Sequence, residues 1–119
     1  MRTSYLAVAC GLQVLFAPIA FVGGANLQQT VVNVGIHDTG HALIEYEAVG
    51  HSDGCWTAGS EKTVLIERTH PMYKYMYATA LAAAASGKKL NGWVDGCVDL
   101  WGDGRVRIPK VVTLGIAAK

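Results

Sequence analysis

The sequence carries almost no net charge and contains no run of like charges. Ten lysine and arginine residues oppose nine aspartate and glutamate residues, which leaves a formal charge of +1 at pH 7. Proteins that bind nucleic acid neutralise its phosphates with an excess of lysine and arginine. We therefore expect no nucleic-acid partner.

The sequence also lacks an apolar stretch long enough to cross a membrane as a helix. Its longest apolar stretch runs from residue 6 to residue 22, and Gln13 and Pro18 interrupt it. A membrane-spanning helix needs about 20 consecutive apolar residues. We therefore expect no membrane span in the mature chain.

The residue order at the N-terminus is typical of a secretory signal peptide. Arg2 supplies a positive start, the apolar stretch follows, and small residues occupy positions 23–25. Cleavage is expected after Ala25. The sequence thus predicts a signal peptide over residues 1–25, one small domain over residues 26–119, and a secreted or periplasmic location.

Cysteine is scarce, and no Cys-x-x-Cys motif is present. Of three cysteines, Cys10 lies in the predicted signal peptide, whereas Cys55 and Cys97 each follow the dipeptide Asp-Gly. Zinc sites use three or four ligands, and redox pairs more often have the Cys-x-x-Cys spacing. Two cysteines in an exported chain are instead typical of a disulfide. The sequence predicts a structural Cys55–Cys97 bridge and no cofactor.

Alternating apolar and polar residues predict a β-hairpin at the start of the mature chain. In residues 30–37, valine and isoleucine occupy one side of a strand, and the other side carries Asn33, Gly35 and His37. Residues 38–40 read Asp-Thr-Gly, which is turn chemistry, and residues 41–49 alternate again.

The remaining strands are separated by loops and one helix. Residues 50–60 have the composition of a loop, and a short strand follows at residues 62–68. Two more strands are predicted at residues 89–95 and 105–116, where Pro109 indicates a bend or an edge position.

A helix is predicted between the third and fourth of these strands. Pro71 suits a helix start, with Thr69 or His70 as its cap, and Gly87 suits a helix end. The residues between are apolar on nearly every side, so the helix is expected to be covered over most of its surface.

The resulting element order is β-β-β-α-β-β, in a mainly β domain with one helix. Five strands with a helix after the third is the order of the OB-fold, a small Greek-key barrel. The helix would close one end of such a barrel. An α+β sandwich with the helix on one sheet face is the alternative.

Two stretches support a family resemblance. The residues "YKYMYATALAAAASGKKLNGWVDGC" and "RIPKVVTLGI" resemble the C-terminal half of secreted bacterial OB-fold proteins, which include the pentameric B subunits of subtilase-type AB5 toxins. The resemblance covers about half of the mature chain. It implies a barrel that binds cell-surface glycans and forms a homo-oligomer, and no sugar-contacting residue is carried over from it.

The Asp-Thr-Gly turn also matches the signature of aspartic proteases, in which paired carboxylates activate water. However, His37 precedes Asp38 where the signature has an apolar residue, and His41 follows where it has a small one. A turn between two strands explains the same residues. A hydrolase centred on Asp38 is therefore kept only as an alternative to a non-enzymatic protein.

Three histidines raise the question of a metal. His37 and His41 flank the turn, Asp38 lies between them, and His51 follows in the next loop. Neutral imidazole suits zinc or copper, but nothing in the sequence fixes a third ligand. The spacing of four between Asp95, Asp99 and Asp103 does not match a calcium loop, and no metal is predicted.

Tryptophans near the cysteines supply the candidate binding site. An amphipathic ring beside a few hydrogen-bonding groups is a common way to bind a sugar. The candidate ligand-binding residues are Trp56, Trp101, Ser52, Asp53, Asp99 and Asp103. The alternative is that the rings pack over the disulfide.

The sequence therefore predicts a secreted, non-enzymatic binding module with a glycan or protein ligand, able to form a homo-oligomer. A small envelope inhibitor or structural protein is the alternative, followed by the hydrolase.

Overall fold

The computed structural model describes residues 23–56 and 59–118. Residues 1–22 of the predicted signal peptide lie outside this range. Within the described residues, no helix combines the length and the apolar character that a membrane span requires.

The described chain forms a mainly β structure with one helix, as predicted. Its six strands and single helix are β1 (Gly24–Gln29), β2 (Val31–Ile36), β3 (Ala42–Tyr46), β4 (Thr63–Ile66), α1 (Tyr73–Ser86), β5 (Leu90–Asp99) and β6 (Arg107–Ile116).

All six strands belong to one sheet, in the order β1-β5-β6-β4-β3-β2. Neighbouring strands are antiparallel, except that β4 and β6 run parallel, with Leu65 opposite Lys110. The sheet is open, because β1 and β2 form its two edges. The prediction of a five-stranded closed barrel therefore needs correction to an open sheet of six strands.

The additional strand is β1, which was not predicted from the sequence. Its residues, "GANLQQ", alternate with the polar side inward, because Asn26 is buried whereas Leu27 is 64% exposed. It pairs with β5, and Ala25 lies opposite Trp93. Since β1 begins at Gly24, cleavage after Ala25 would remove its first two residues.

The predicted hairpin is present as β2 and β3. Ile36 pairs with Ala42 beside the turn, and Asn33 pairs with Glu45 near the far end. Gly40 closes the turn by donating its N–H to the carbonyl of His37 at 2.8 Å. Its φ of +90° is a backbone conformation that glycine adopts without strain.

The main core lies between the sheet and α1. Ala42, Ile44 and Tyr46 alternate along β3, point to the same side and are buried. On the helix, Met76, Ala80 and Ala83 complete this contact. Each fully buried large side chain contributes roughly 1.5–3 kcal/mol. Burial of Tyr46 also raises the pKa of its phenol, so the hydroxyl is neutral at physiological pH.

The helix ends where the sequence predicts but is less covered than expected. Gly87 adopts a left-handed conformation with φ of 72°, and its N–H donates to the carbonyl of Ala83. At the start, no side chain caps α1 itself, although Nδ1 of His70 accepts the N–H of Met72 at 2.9 Å. Tyr75 and Leu81 are 63% and 42% exposed. The expectation of a covered helix was wrong.

A second, smaller core lies on the opposite face of the sheet. Leu65, Leu100 and Ile108 are buried together there. Leu43 and Val106 pack against them from the edge. This core supports the face of the sheet that α1 does not cover.

The predicted disulfide between Cys55 and Cys97 is present, with the two Cα atoms 5.6 Å apart. Cys97 lies inside β5, which extends to Asp99 rather than ending at residue 95 as predicted. Pro109 lies opposite Cys97, beside an irregularity in the pairing of β5 with β6. Proline has no N–H to donate and is tolerated at such a bulge. Pro109 therefore does not require β6 to be an edge strand.

Candidate functional site

The sheet face away from α1 carries a groove across β2, β3 and β4. Its volume is about 260 Å³, and its lining residues are Asn33, Gly35, Ile36, His37, Leu43, Glu45 and Thr63. The strand residues Asn33, Gly35, Leu43, Glu45 and Thr63 lie on one face of the sheet because alternate residues of a strand point to the same face. They are neighbours because the three strands pair in register.

One end of this groove is a row of three polar residues. Asn33 pairs with Glu45 across β2 and β3, and Glu45 pairs with Thr63 across β3 and β4. An amide, a carboxylate and a hydroxyl therefore lie side by side on neighbouring strands. Together they offer both donors and acceptors to a ligand.

The floor of the groove is apolar and contains a glycine. Gly35 pairs with Leu43, and Leu43 pairs with the fully buried Leu65. This row lies two residues along β3 from Glu45, which corresponds to roughly 7 Å for an extended strand. A flat apolar floor thus adjoins the polar row.

Gly35 has no structural reason to be glycine. Its φ lies outside the left-handed region, and a Cβ atom added there would meet nothing within 4 Å. Glycine in the middle of a strand weakens it and often marks a close approach by a ligand or another backbone. The absent side chain leaves the floor open.

The other end of the groove is lined by His37, whose ring contacts a tryptophan outside the lining. His37 follows β2, and its ring meets the ring of Trp101 edge to face, with 4.6 Å between the centroids. Trp101 is 51% exposed. It therefore presents ring surface to solvent beside the groove.

The loop that carries Trp101 is held by its own backbone contacts. The carboxylate of Asp99 accepts the N–H groups of Gly102 and Gly104 at 3.1 and 2.6 Å. Asp103 accepts from the backbone and side chain of Arg105, which lowers the pKa of the Asp103 carboxyl. Both aspartates predicted to bind ligand thus stabilise this loop.

Trp56 lies elsewhere and is partly buried. Its indole Nε1 donates to the carbonyl oxygen of Thr63 at 3.0 Å. This bond ties Trp56 to the backbone of β4, and neither Trp56 nor Trp101 is a lining residue of the groove. Of the two predicted tryptophans, Trp101 contacts the lining residue His37.

Asp53 has a structural position rather than a place in the groove. Its side chain is 4% exposed, and its carboxylate accepts the N–H groups of Gly23 at 3.3 Å and Gly96 at 2.7 Å. Ser52 accepts the N–H of Gly54 through its hydroxyl at 3.2 Å. These two predicted ligand residues fix the loop beside the disulfide.

The histidines at the turn are used as hydrogen-bond acceptors. Nδ1 of His37 accepts the N–H of Thr39 at 3.2 Å, and Nδ1 of His41 accepts the N–H of Arg68 at 3.0 Å. Nδ1 of each ring is therefore engaged by a backbone N–H. Burial lowers the pKa of His41, and the charge of Arg68 adds to the effect.

The remaining candidate ligands do not assemble into a metal site within the described residues. His51 lies near Asp53, with 3.8 Å from its Nε2 to the carboxylate, on a different loop from His37 and His41. The described residues contain no group of three potential ligands close enough to hold a metal. Asp38 is exposed at the tip of the turn.

The sequence did not indicate the polar row as a site. Alternation placed Asn33 and Gly35 on one face of a strand, and Glu45 alternates in the next. What the pattern could not give was the pairing of Glu45 with Thr63, which brings residues from three strands together.

Comparison with known proteins gives no relative for this chain. No protein-family model matches it. No curated protein and no solved structure matches it significantly either. Its function must be inferred from the residues and the geometry of the groove.

Proposed function

We propose that this protein is a secreted, non-enzymatic module that binds a carbohydrate in the groove across β2, β3 and β4. The observation that carries the proposal is the open floor at Gly35, where neither backbone conformation nor packing requires glycine. On one side of this floor lies the polar row of Asn33, Glu45 and Thr63. On the other side lies Trp101.

The chemistry of the groove matches the two kinds of surface on a sugar ring. Hydroxyl groups need paired donors and acceptors, which the polar row supplies. The C–H face of the ring needs a flat apolar or aromatic surface, which Leu43 and the exposed ring of Trp101 supply. Small-molecule sites commonly combine an apolar lining with a few placed polar groups.

We also propose that the sheet is an opened version of the OB-fold. Thr30 alone separates β1 from β2, although these strands form opposite edges of the sheet. In this proposal, β1 and β2 are two parts of one long first strand that contributes both edges. In OB-folds, the ligand lies on the second and third strands and contacts the first and last hairpin loops. The corresponding elements here are β3, β4, the turn at residues 37–41 and the loop at residues 100–106.

The export and assembly proposals rest on separate observations. The Cys55–Cys97 disulfide supports an oxidising location outside the cytoplasm. The exposed apolar side chains of Tyr75 and Leu81 support a homo-oligomer in which a second copy covers α1. Light scattering on the exported protein tests the proposed oligomer. The expected result is a mass at least twice that of one mature chain.

A glycan array probed with the purified, fluorescently labelled protein tests the proposed function. Binding to a defined group of glycans, lost in the Trp101→Ala variant, is the expected result. An array on which the wild-type protein binds no glycan overturns the carbohydrate proposal.

A further inference from the structure

We infer that the groove selects sugars that carry a free amino group over acidic sugars and over their N-acetylated counterparts. This inference rests on the proposed function and names the chemical class of its ligand. It follows from the charges that line the groove, and from the position of one carboxylate relative to the glycine floor.

Glu45 is the charged residue in the groove lining. Lysine and arginine are absent from the lining residues, and Nδ1 of His37 contacts the backbone N–H of Thr39. The turn that supplies His37 carries the exposed carboxylate of Asp38, and the side chain of Arg68 lies against the same turn at Gly40, so these two charges offset each other. Repulsion of a ligand carboxylate or sulfate therefore comes from Glu45.

The carboxylate of Glu45 has no cationic partner among the described residues. The ion pairs there join His51 to Asp53 and Arg105 to Asp103. On either side of Glu45 the strands supply Asn33 and Thr63, which are uncharged. An ammonium group of a ligand can provide the counter-charge and donate up to three hydrogen bonds to this row.

The geometry lets one ligand use both parts of the groove. Glu45 lies two residues from Leu43 on β3, which is roughly 7 Å along the strand. A single sugar ring bridges such a distance, with its apolar face over Gly35 and Leu43 and its amino group at Glu45. N-acetylation removes the positive charge and adds bulk at the same point.

A matched pair of sugars tests this inference. The probes are two chito-oligosaccharides of equal length, one fully deacetylated and one fully N-acetylated, titrated by calorimetry at low salt. Charge-assisted hydrogen bonds are the stronger class. We therefore expect the wild-type protein to bind the deacetylated sugar at least tenfold more tightly. Glu45→Gln should abolish that preference, whereas Asp95→Asn, which removes an exposed carboxylate on β5, should retain it.

The outcomes separate this inference from the proposed function. The amine preference is overturned if both sugars bind equally, or if sialylated lactose binds more tightly than either of them. In both cases the carbohydrate site stands if Gly35→Leu abolishes the binding that is observed. If Asp95→Asn abolishes the preference as fully as Glu45→Gln does, the preference reflects overall charge and the inference is likewise overturned. If no sugar binds in this experiment or on the array, both proposals fall.

Discussion

Trp101 and His37 meet edge to face, with 4.6 Å between ring centroids and 68° between ring planes. The contact joins the loop between β5 and β6 to the turn between β2 and β3, at one end of the groove. Two segments that are distant in the sequence therefore meet beside the groove.

Replacement of Trp101 by alanine should separate binding from stability. Because the ring is half exposed, the free energy of unfolding should fall by less than about 1 kcal/mol, while glycan affinity falls at least tenfold. Urea unfolding and fluorescence titration measure the two effects. Trp93→Ala is the matched control, since that exposed tryptophan lies outside the groove. A loss of about 3–5 kcal/mol for Trp101→Ala, typical of buried aromatics, would show that the ring serves packing.

The disulfide should make a large contribution to the stability of this small domain. Closing a loop of this length stabilises a protein by about 4 kcal/mol in the chain-entropy model. The double substitution of Cys55 and Cys97 by alanine should lower the free energy of unfolding by about that amount. Thiol titration of the denatured, unreduced protein should detect no free thiol in the mature chain. Two reactive thiols would contradict the bridge.

Two aspartates on turns should respond differently to loss of charge. The buried carboxylate of Asp53 accepts the N–H of Gly96, and this donor remains after the predicted cleavage at Ala25, whereas Gly23 does not. In the mature chain, Asp53→Ala should therefore destabilise the protein by about 1.5–3 kcal/mol for the one charged hydrogen bond lost. Asp38 is exposed at a turn that accepts asparagine equally well, so Asp38→Asn should change neither stability nor binding. Thermal unfolding compares both variants with wild type. Peptide hydrolysis at acid pH that Asp38→Asn abolishes would instead revive the hydrolase interpretation.

Acidification should weaken the fold through His41. Burial lowers the pKa of this histidine below 6.5, its neighbours Arg68 and His37 lower it further, and Glu67 opposes them. As the pH falls through 6.5, the unfolded chain takes up the proton first. Stability should therefore decrease until the folded protein is also protonated.

The melting temperature between pH 8 and pH 5 measures this effect. His41→Gln is the informative comparison, because its side-chain oxygen can still accept the N–H of Arg68 but does not titrate. The variant should show a smaller decrease than wild type over the same interval. Equal slopes for the two proteins would exclude His41 as the cause.

Local features of the fold were predictable from the sequence, whereas long-range ones were not. The hairpin and the helix end at Gly87 follow from alternation and from glycine chemistry, and both are confirmed. The strand β1 was missed because its pattern is inverted, with the polar Asn26 buried and the apolar Leu27 exposed. Its place in the sheet depends on pairing with β5, which lies far along the chain.

The same limit applies to the candidate site. Trp101 could be proposed from its type and its loop, and the structure places it beside the groove. Asp53 has the same polar, glycine-rich surroundings in the sequence, yet contacts with Gly23 and Gly96 bury it. Glu45 gained Thr63 as a neighbour only through the pairing of β3 with β4. Residue type indicated chemistry, but tertiary pairing decided which residues meet.

The most direct test of the groove as the binding site uses two glycines in the same structural setting. Gly35 and Gly115 both lie within strands, outside the left-handed region, with nothing within 4 Å of an added Cβ atom. Only Gly35 lines the groove, and Gly115 lines a concave surface formed by β1, β5 and β6. Both leucine variants should therefore fold.

The decisive measurement is calorimetric titration of the two variants with the best ligand from the array. Gly35→Leu should fill the floor and lower the affinity at least a hundredfold, while Gly115→Leu should bind as wild type does. Unchanged affinity in a folded Gly35→Leu protein would contradict the central claim, and loss of binding in Gly115→Leu alone would place the site on the other surface.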